Sequence, residues 1–355
     1  MSEVHDRKKG IVFALLAACL FGASNPLAKL LLPNVEPVLM AGLLYLGSGI
    51  GLGAYSLLRS RSKVLRSQEA SLGRKDWPWL AGAIFVGGVL GPVLLLWGLA
   101  ATPASSASLL LNLEGVFTAL LAWFVFKENF DTRIALGMAL IVLGGLCLSW
   151  MGRTQTGIPW GFLSIAGACL AWAIDNNLTR KVSAGDPVQV AMLKGLVAGT
   201  VNTTLALVLG AKFPAGLVLL GTGLVGLFGY GISLTLFVLA LRHIGTARTG
   251  AYFSTSPFVG AAISILLLGD SLTAGFVVAA AFMGAGVWLH LTEKHEHEHL
   301  HQPLEHEHLH THDEHHQHAH TGDESAREPH SHSHQHAAFR HTHPHHPDIH
   351  HRHAH

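Results

Sequence analysis

Charge is scarce in this chain. Only 13% of its 355 residues are Asp, Glu, Lys or Arg, whereas a soluble domain carries about 25%. That shortage argues against a water-soluble globular protein. No G-x-x-x-x-G-K-[ST] loop is present, which excludes a motor built on that nucleotide cradle. Serines, histidines and acids occur without a nucleophile motif around them, so no enzyme is indicated. Cysteine is confined to Cys19, Cys147 and Cys169, each inside an apolar run. These read as small core residues and not as a disulfide framework. The strand alternation of a membrane barrel is missing. Basic residues are dispersed between apolar segments and form no single patch, so no nucleic-acid partner is expected.

What fills the chain instead is apolar sequence, with 50% hydrophobic residues and 39 glycines. A hydrocarbon layer about 30 Å thick is crossed by roughly 20 apolar residues in a helix. Ten segments have that character: 11–32, 37–58, 79–100, 104–126, 133–151, 159–180, 187–209, 216–241, 247–268 and 273–292. The first is too long for the core of a signal peptide, and nine more follow it. Helices are the expected spans, because an open sheet would leave backbone groups unpaired in lipid. The connections are short and often carry Pro or Gly, as in "PNVEP", "SAGDP" and "AKFPAG".

The loops place the chain in the membrane. With the N-terminus inside, the inner segments hold 15 Lys and Arg, including Arg7, Lys8, Lys9, Arg59, Lys127, Arg180 and Arg242, and the outer loops hold only Arg153 and Lys212. Positive charge is retained on the cytoplasmic side, so both termini are expected there, in a cell membrane of the bacterial inner-membrane kind. The chain divides into a cytoplasmic N-terminus at 1–10, five-helix halves at 11–151 and 152–294, and a polar tail at 295–355. The first span contains "AACLFGASN" at 17–25 and the sixth "GACLAWAID" at 167–175, an offset of 150. The fourth and ninth spans share a layout too. Five helices per half is odd, so the halves enter the membrane from opposite sides. Such inverted repeats place a site near the midplane and support alternating access.

The two stretches "PASSASLLLNLEGVFTALLAWFVFKENF" and "TARTGAYFSTSPFVGAAISILLLGDSL" resemble the EamA-type members of the drug/metabolite transporter superfamily. The resemblance covers about 290 residues. It implies a ten-helix permease, all-α, that moves a small metabolite or drug-like solute without a required cofactor. The family pattern has a proline in the middle of the fourth helix of each half and a Glu at its end. The second half keeps Pro257, whereas the first has Glu114 at that place; the terminal Glu is Glu128 and becomes Asp270.

Ionisable groups inside a membrane are functional candidates by default. Glu114 lies ten residues into its span, about 15 Å deep at 1.5 Å per residue. It suits a proton carrier, a partner for a cationic substrate, or a structural Glu bonded to neighbouring amides. Asn25 and Pro26, in "ASNPLAK", are expected to interrupt the first helix and expose carbonyls to a substrate; an ordinary packed kink is the other reading. Lys29 lies nearer the outer surface and can snorkel there. Asp175 aligns with Asn25 and has Asn176 beside it. Lys194 in the next span lies at similar depth. A pair between Asp175 and Lys194 would remove two lone charges from lipid, as a structural bridge or an inward gate. Asn112, Trp97, Trp172, Tyr252, Phe253 and Ser254 are candidates to line the pathway, against plain packing.

The tail carries 24 of the 27 histidines. It has no apolar run, so it is expected to be disordered without a ligand. Imidazole suits zinc, nickel and copper, and His-x-His spacing brings two rings within chelating reach. The densest run comprises His295, His297, His299, His301, His306, His308, His310, His312, His315, His316, His318 and His320. Two readings follow. In one, a small-molecule permease, an exporter or else an importer, carries a metal-binding tail. In the other, a divalent transition metal (nickel, cobalt, zinc or copper) is the cargo and the tail feeds it to the pore. The pore favours the first, because His243 and His290 lie near span ends. The expected partners are a small-molecule substrate, the lipid bilayer, metal ions and a second copy of the chain.

Overall fold

The structure is a computed structural model and describes residues 2–61, 72–126, 132–151, 159–179, 181–182, 186–291 and four short tail segments. Outside the tail it is an all-α membrane protein, with ten spans among the described residues. Spans 1 and 2 are Ser2–Leu31 and Pro37–Arg61. Span 3 is built from Trp77–Ala83, a π-helical stretch Ile84–Leu90, and Gly91–Ala101. Span 4 is broken into Ala104–Leu110 and Leu113–Phe126. Spans 5, 6 and 7 are Thr132–Met151, Trp160–Thr179 and Pro187–Val208. Span 8 begins as Gly216–Gly226 and widens into a second π-helical stretch, Leu227–Ile232. Ser233–Phe253 completes span 8 and starts span 9. Phe237 and Phe253 have ring centroids 4.8 Å apart, where a straight helix would separate them by about 24 Å. The chain therefore doubles back between them. Ser256–Leu268 finishes span 9, and Ala274–Leu291 is span 10.

The inversion of the halves is visible in their contacts. Spans 2 and 7, related by the 150-residue offset through Pro37 and Pro187, lie side by side. An ideal Cβ at Gly42 would meet Thr203, and one at Gly49 would meet Leu196. Numbers rise along one helix as they fall along the other, so the mates are antiparallel. Spans 5 and 10 repeat this: Gly137 faces Gly286, and Gly144 faces Met283. The remaining packing is exchanged between halves, span 1 against span 8 and span 6 against span 3. Without a hydrophobic drive in lipid, close backbone approach at small residues supplies the contact.

One expectation fails in span 1. Pro26 sits inside a continuous helix and does not interrupt it. A helical proline removes one backbone hydrogen bond, and the carbonyl it frees, that of Gly22, lies against the glycine face of span 9 at Gly260. The interruptions occur instead at Leu111–Asn112 in span 4 and Ser254–Thr255 in span 9.

In the tail, Glu296–His301 pairs antiparallel with Phe339–Pro344, and Leu304–His310 with His330–His336. Composition alone predicts no fixed structure here. A histidine at every second residue is, however, a period-two pattern that suits extended chain, and a lone two-stranded ribbon is marginal in water. Glu128, His295, His312, His315, His316, His318 and His320 lie outside the described residues.

The inverted repeat sets both termini on one face, the terminal side, with residues 32–36, 102–103, 209–215 and 269–273 on the far side. Reporter fusions at Lys212 and directly after Lys294 are expected to report opposite sides of the membrane. The same side for both would contradict the inversion.

Candidate functional site

Span 4 breaks where its intramembrane carboxylate, Glu114, sits. Asn112 donates from Nδ2 to the Leu109 carbonyl at 2.8 Å, closing the first piece. Leu113 then restarts the helix, with Glu114 in its first turn. Span 9 breaks in the same way, and Pro257 occupies the first turn of Ser256–Leu268. The exchange of Pro for Glu thus falls at equivalent positions. Either residue suits a helix start: proline gives up a donor that has no intrahelical partner there, and a carboxylate meets the positive end of the helix dipole.

Glu114 is partly exposed and accepts a 2.8 Å hydrogen bond from Asn176 Nδ2 on span 6. Among the described residues no Lys, Arg or His lies within ion-pair distance of it. Trp172 lies one turn before Asn176 on the same helix face. Its ring meets Phe21 of span 1 at 6.3 Å. Phe21 in turn meets Tyr230 at 5.9 Å and Phe253 at 5.5 Å. A carboxylate, an amide and a run of aromatic rings are therefore contiguous. Spans 3, 4 and 6 make one wall and spans 1, 8 and 9 the other. The Phe21–Trp172 contact joins the walls as a floor. On the terminal side of it Asn176 is exposed.

The neighbouring charges are spent on each other. Lys194 Nζ reaches both Asp175 oxygens at 2.7 Å, Thr179 Oγ1 donates to Asp175 Oδ1 at 2.8 Å, and both charged residues are buried. This carboxylate can approach span 3 only because residue 87 is glycine: a Cβ there would lie 2.1 Å from Asp175 Oδ2. Gly87 belongs to the π-helical stretch, whose wide turns leave carbonyls free for other donors. Its oxygen accepts from Tyr45 Oη at 3.1 Å and Trp172 Nε1 at 3.0 Å, and Gly88 accepts from Asn202 Nδ2 at 3.1 Å. The second π-helical stretch is the inverted counterpart, with Gly229 against Ser24 of span 1.

Of the candidate residues, the structure joins Glu114 to Asn176, Asp175 to Lys194, and Trp172 to the ring cluster. Tyr252 packs beside Ala14, Ala240 and Ile244, one residue from the ring of Phe253. Asn25 is buried and its Nδ2 has no partner. Its counterpart Asp175 is matched by Lys194, but the counterpart of Lys194 is Leu44, which offers nothing to bond. Trp97 is 51% exposed and stands apart from these rings. Phe21, Tyr45, Tyr230 and Phe237 did not stand out in the sequence. The glycines of "FVGGVLG" and "FGYGIS" were the available signal for the widened turns.

Known proteins bear on this arrangement. The model of the EamA-like transporter family matches twice, over residues 8–150 and 159–292. An uncharacterized transporter of Methanothermobacter thermautotrophicus is 30% identical over 293 residues, covering 79% of this chain and 85% of its own. A probable amino-acid metabolite efflux pump of Salmonella typhimurium is 26% identical, over 81% of this chain and 95% of its own. An uncharacterized inner membrane transporter of Escherichia coli is 24% identical over 74% of this chain and 84% of its own. A solved crystal structure aligns with a TM-score of 0.58 at 18% identity, over 78% of this chain and 95% of that one, which shows a common fold.

The buried pair generates a test. Lys194→Leu leaves an uncompensated carboxylate and is expected to cost about 3–5 kcal/mol, read as a lower melting temperature in detergent. The double variant Asp175→Asn with Lys194→Leu installs the residues that the first half carries as Asn25 and Leu44. Most of the lost stability should return. A double variant as unstable as the single one would show that the pair does more than neutralise itself.

Proposed function

The chain belongs to the EamA-like transporter family, and from that premise we propose that it exports a small metabolite by alternating access through the cleft beside Glu114. That it is a multi-pass membrane transporter and not an enzyme follows from the family. Export, the pathway and the coupling are our reading. One observation carries it. Glu114 is the carboxylate that faces the cleft with a neutral partner, Asn176, while Asp175 is neutralised by Lys194. A carboxylate without a cation inside a membrane is costly unless it gains a proton or a positive group. Glu114 can therefore take a proton or the cationic part of a solute, and release it when the cleft changes sides. The rings of Phe21, Trp172, Tyr230 and Phe253 offer apolar surface to the rest of the solute. The efflux pump among the relatives supports the outward direction. Both termini are read as cytoplasmic in a bacterial inner membrane, so the cleft opens to the cytoplasm, where an exporter loads.

The tail is read as a metal-binding regulator or buffer, separable from the transport unit. Its His-x-His runs supply imidazole ligands, and the two helical halves are complete without it. Among the described residues no three His, Cys, Asp or Glu side chains converge on a metal site.

Glu114→Gln preserves size and hydrogen bonding while removing the charge. In vesicles loaded with candidate amino-acid metabolites, efflux should fall to near background and its pH dependence should vanish. An unaltered pH profile would leave Glu114 a structural residue. Truncation after Lys294 should give an inserted protein that still transports but binds far less zinc or nickel by equilibrium dialysis. Because the ligand is neutral imidazole, full-length binding should weaken as pH falls below about 6.5. A truncated protein that inserts and loses transport with no metal present would place the tail in the pathway instead.

A further inference from the structure

Inverted halves should make matching contacts at the two membrane faces, and here they do not. On the far side, span 1 packs on Ala104–Leu110 of span 4 and on Ser256–Leu268 of span 9, and those two pieces pack on each other. The three meet closely: a Cβ on Gly260 would lie 2.7 Å from both the Gly22 carbonyl and Ser108 Oγ. The matching set on the terminal side would be span 6, the second piece of span 4 and the first part of span 9. Among the described residues span 6 does pack on Leu113–Phe126, but no comparable packing ties either of them to the first part of span 9. Among the described residues, then, the far-side set is closed and the terminal-side set is not.

Two charged side chains act on the shut face, and both act on the turn between spans 3 and 4. Lys29 of span 1 donates from Nζ to the carbonyls of Leu99, of Ala100 at 3.1 Å and of Thr102 at 3.0 Å. These are the orphan acceptors at the end of Gly91–Ala101, where a cation is favoured. Asp270 follows Gly269, whose positive φ of 70° ends span 9. Its Oδ2 accepts from the Ser105 amide at 2.8 Å, at the start of Ala104–Leu110, where an anion is favoured. One half supplies the ammonium and the other the carboxylate, and Pro103 lies between their targets. The inverted counterpart of Lys29 is Thr179, which has no charge and bonds to Asp175 of its own helix. The shut face also contains Ser108 Oγ, buried with no partner, and the same stretch of span 1 holds the unpartnered Nδ2 of Asn25. Buried groups left unpaired oppose closure, so the closed state needs its polar clasp.

We propose that Lys29 and Asp270 are positioning residues of a far-side gate, clasping the 102–105 turn to hold the transporter shut on that side while its cleft is open on the terminal side. The proposal rests on the alternating-access reading but not on the identity of the solute or on the role of Glu114. Its test needs no substrate. In a background with Cys19, Cys147 and Cys169 replaced by alanine, Ser108→Cys is exposed to a membrane-impermeant maleimide from the far side, and Lys212→Cys confirms independently which side that is. With the clasp intact, labelling should be slow. Lys29→Met and Asp270→Asn should each speed it by roughly tenfold or more, the scale of one charge-assisted contact biasing a two-state equilibrium. Lys29→Arg, which keeps charge and donors, should restore the slow rate. Labelling of Asn176→Cys from the terminal side should slow in the same two variants, a shift that general loosening would not produce. If Lys29→Met fails to insert, Asp270→Asn alone decides. Unchanged labelling at both reporter positions in Asp270→Asn would overturn the proposal.

Discussion

A hydrocarbon layer supplies no hydrogen bonds, so every charge and every unpaired carbonyl within it must be met by the protein. Much of this structure can be read as the consequence. Lys194 and Asp175 cancel each other and draw in Thr179. The free carbonyls of Gly87 and Gly88 collect the donors of Tyr45, Trp172 and Asn202. Lys29 settles on the carbonyl end of a helix. Glu114 differs: its partner is the Asn176 amide and, among the described residues, not a cation, which is the ground for proposing that a proton or a cationic solute meets its charge.

The inverted repeat explains how the same sequence design makes both a rigid frame and a movable pair of walls. Spans 2 and 7, and spans 5 and 10, cross as antiparallel mates through glycines that would clash with any side chain. These contacts are nearly symmetric and give the two halves a fixed seam. Spans 1, 4, 6 and 9 are different. On the far side span 1, Ala104–Leu110 and Ser256–Leu268 pack on one another, whereas on the terminal side, among the described residues, span 6 packs on Leu113–Phe126 and neither packs comparably on the first part of span 9. Two interchangeable arrangements of the same set would bring the Glu114 cleft to either face. The breaks in spans 4 and 9, which end two residues before Glu114 and two before Pro257, lie where such a change could be absorbed.

Much of this was legible in the sequence because hydropathy and depth are local properties. Ten apolar runs, the 150-residue offset and the loop charges needed no tertiary information. The depth of Asp175 and Lys194 was enough to suggest their pair, since each would otherwise stand alone in lipid. What was hidden depended on the partner helix. Nothing along the chain shows that Asn176 faces Glu114, because the two meet across spans 4 and 6. Lys29 read as a snorkelling surface lysine, and its role follows only from where span 3 ends. Pro26 read as a break, yet the helix runs through it, since close packing against span 9 tolerates one missing hydrogen bond. The π-helical stretches left only glycines as their trace.

The central claim is that one cleft, at Glu114, is opened to one face as it is closed to the other. Paired spin labels give the most direct measurement: Asn177 with His243 across the terminal side, and Leu30 with Leu272 across the far side. Both distance distributions would be recorded in lipid with and without a proton gradient. The account predicts that they change in opposite senses, the terminal-side distance shortening as the far-side distance grows. Distances that stay fixed, or that lengthen together, would contradict it.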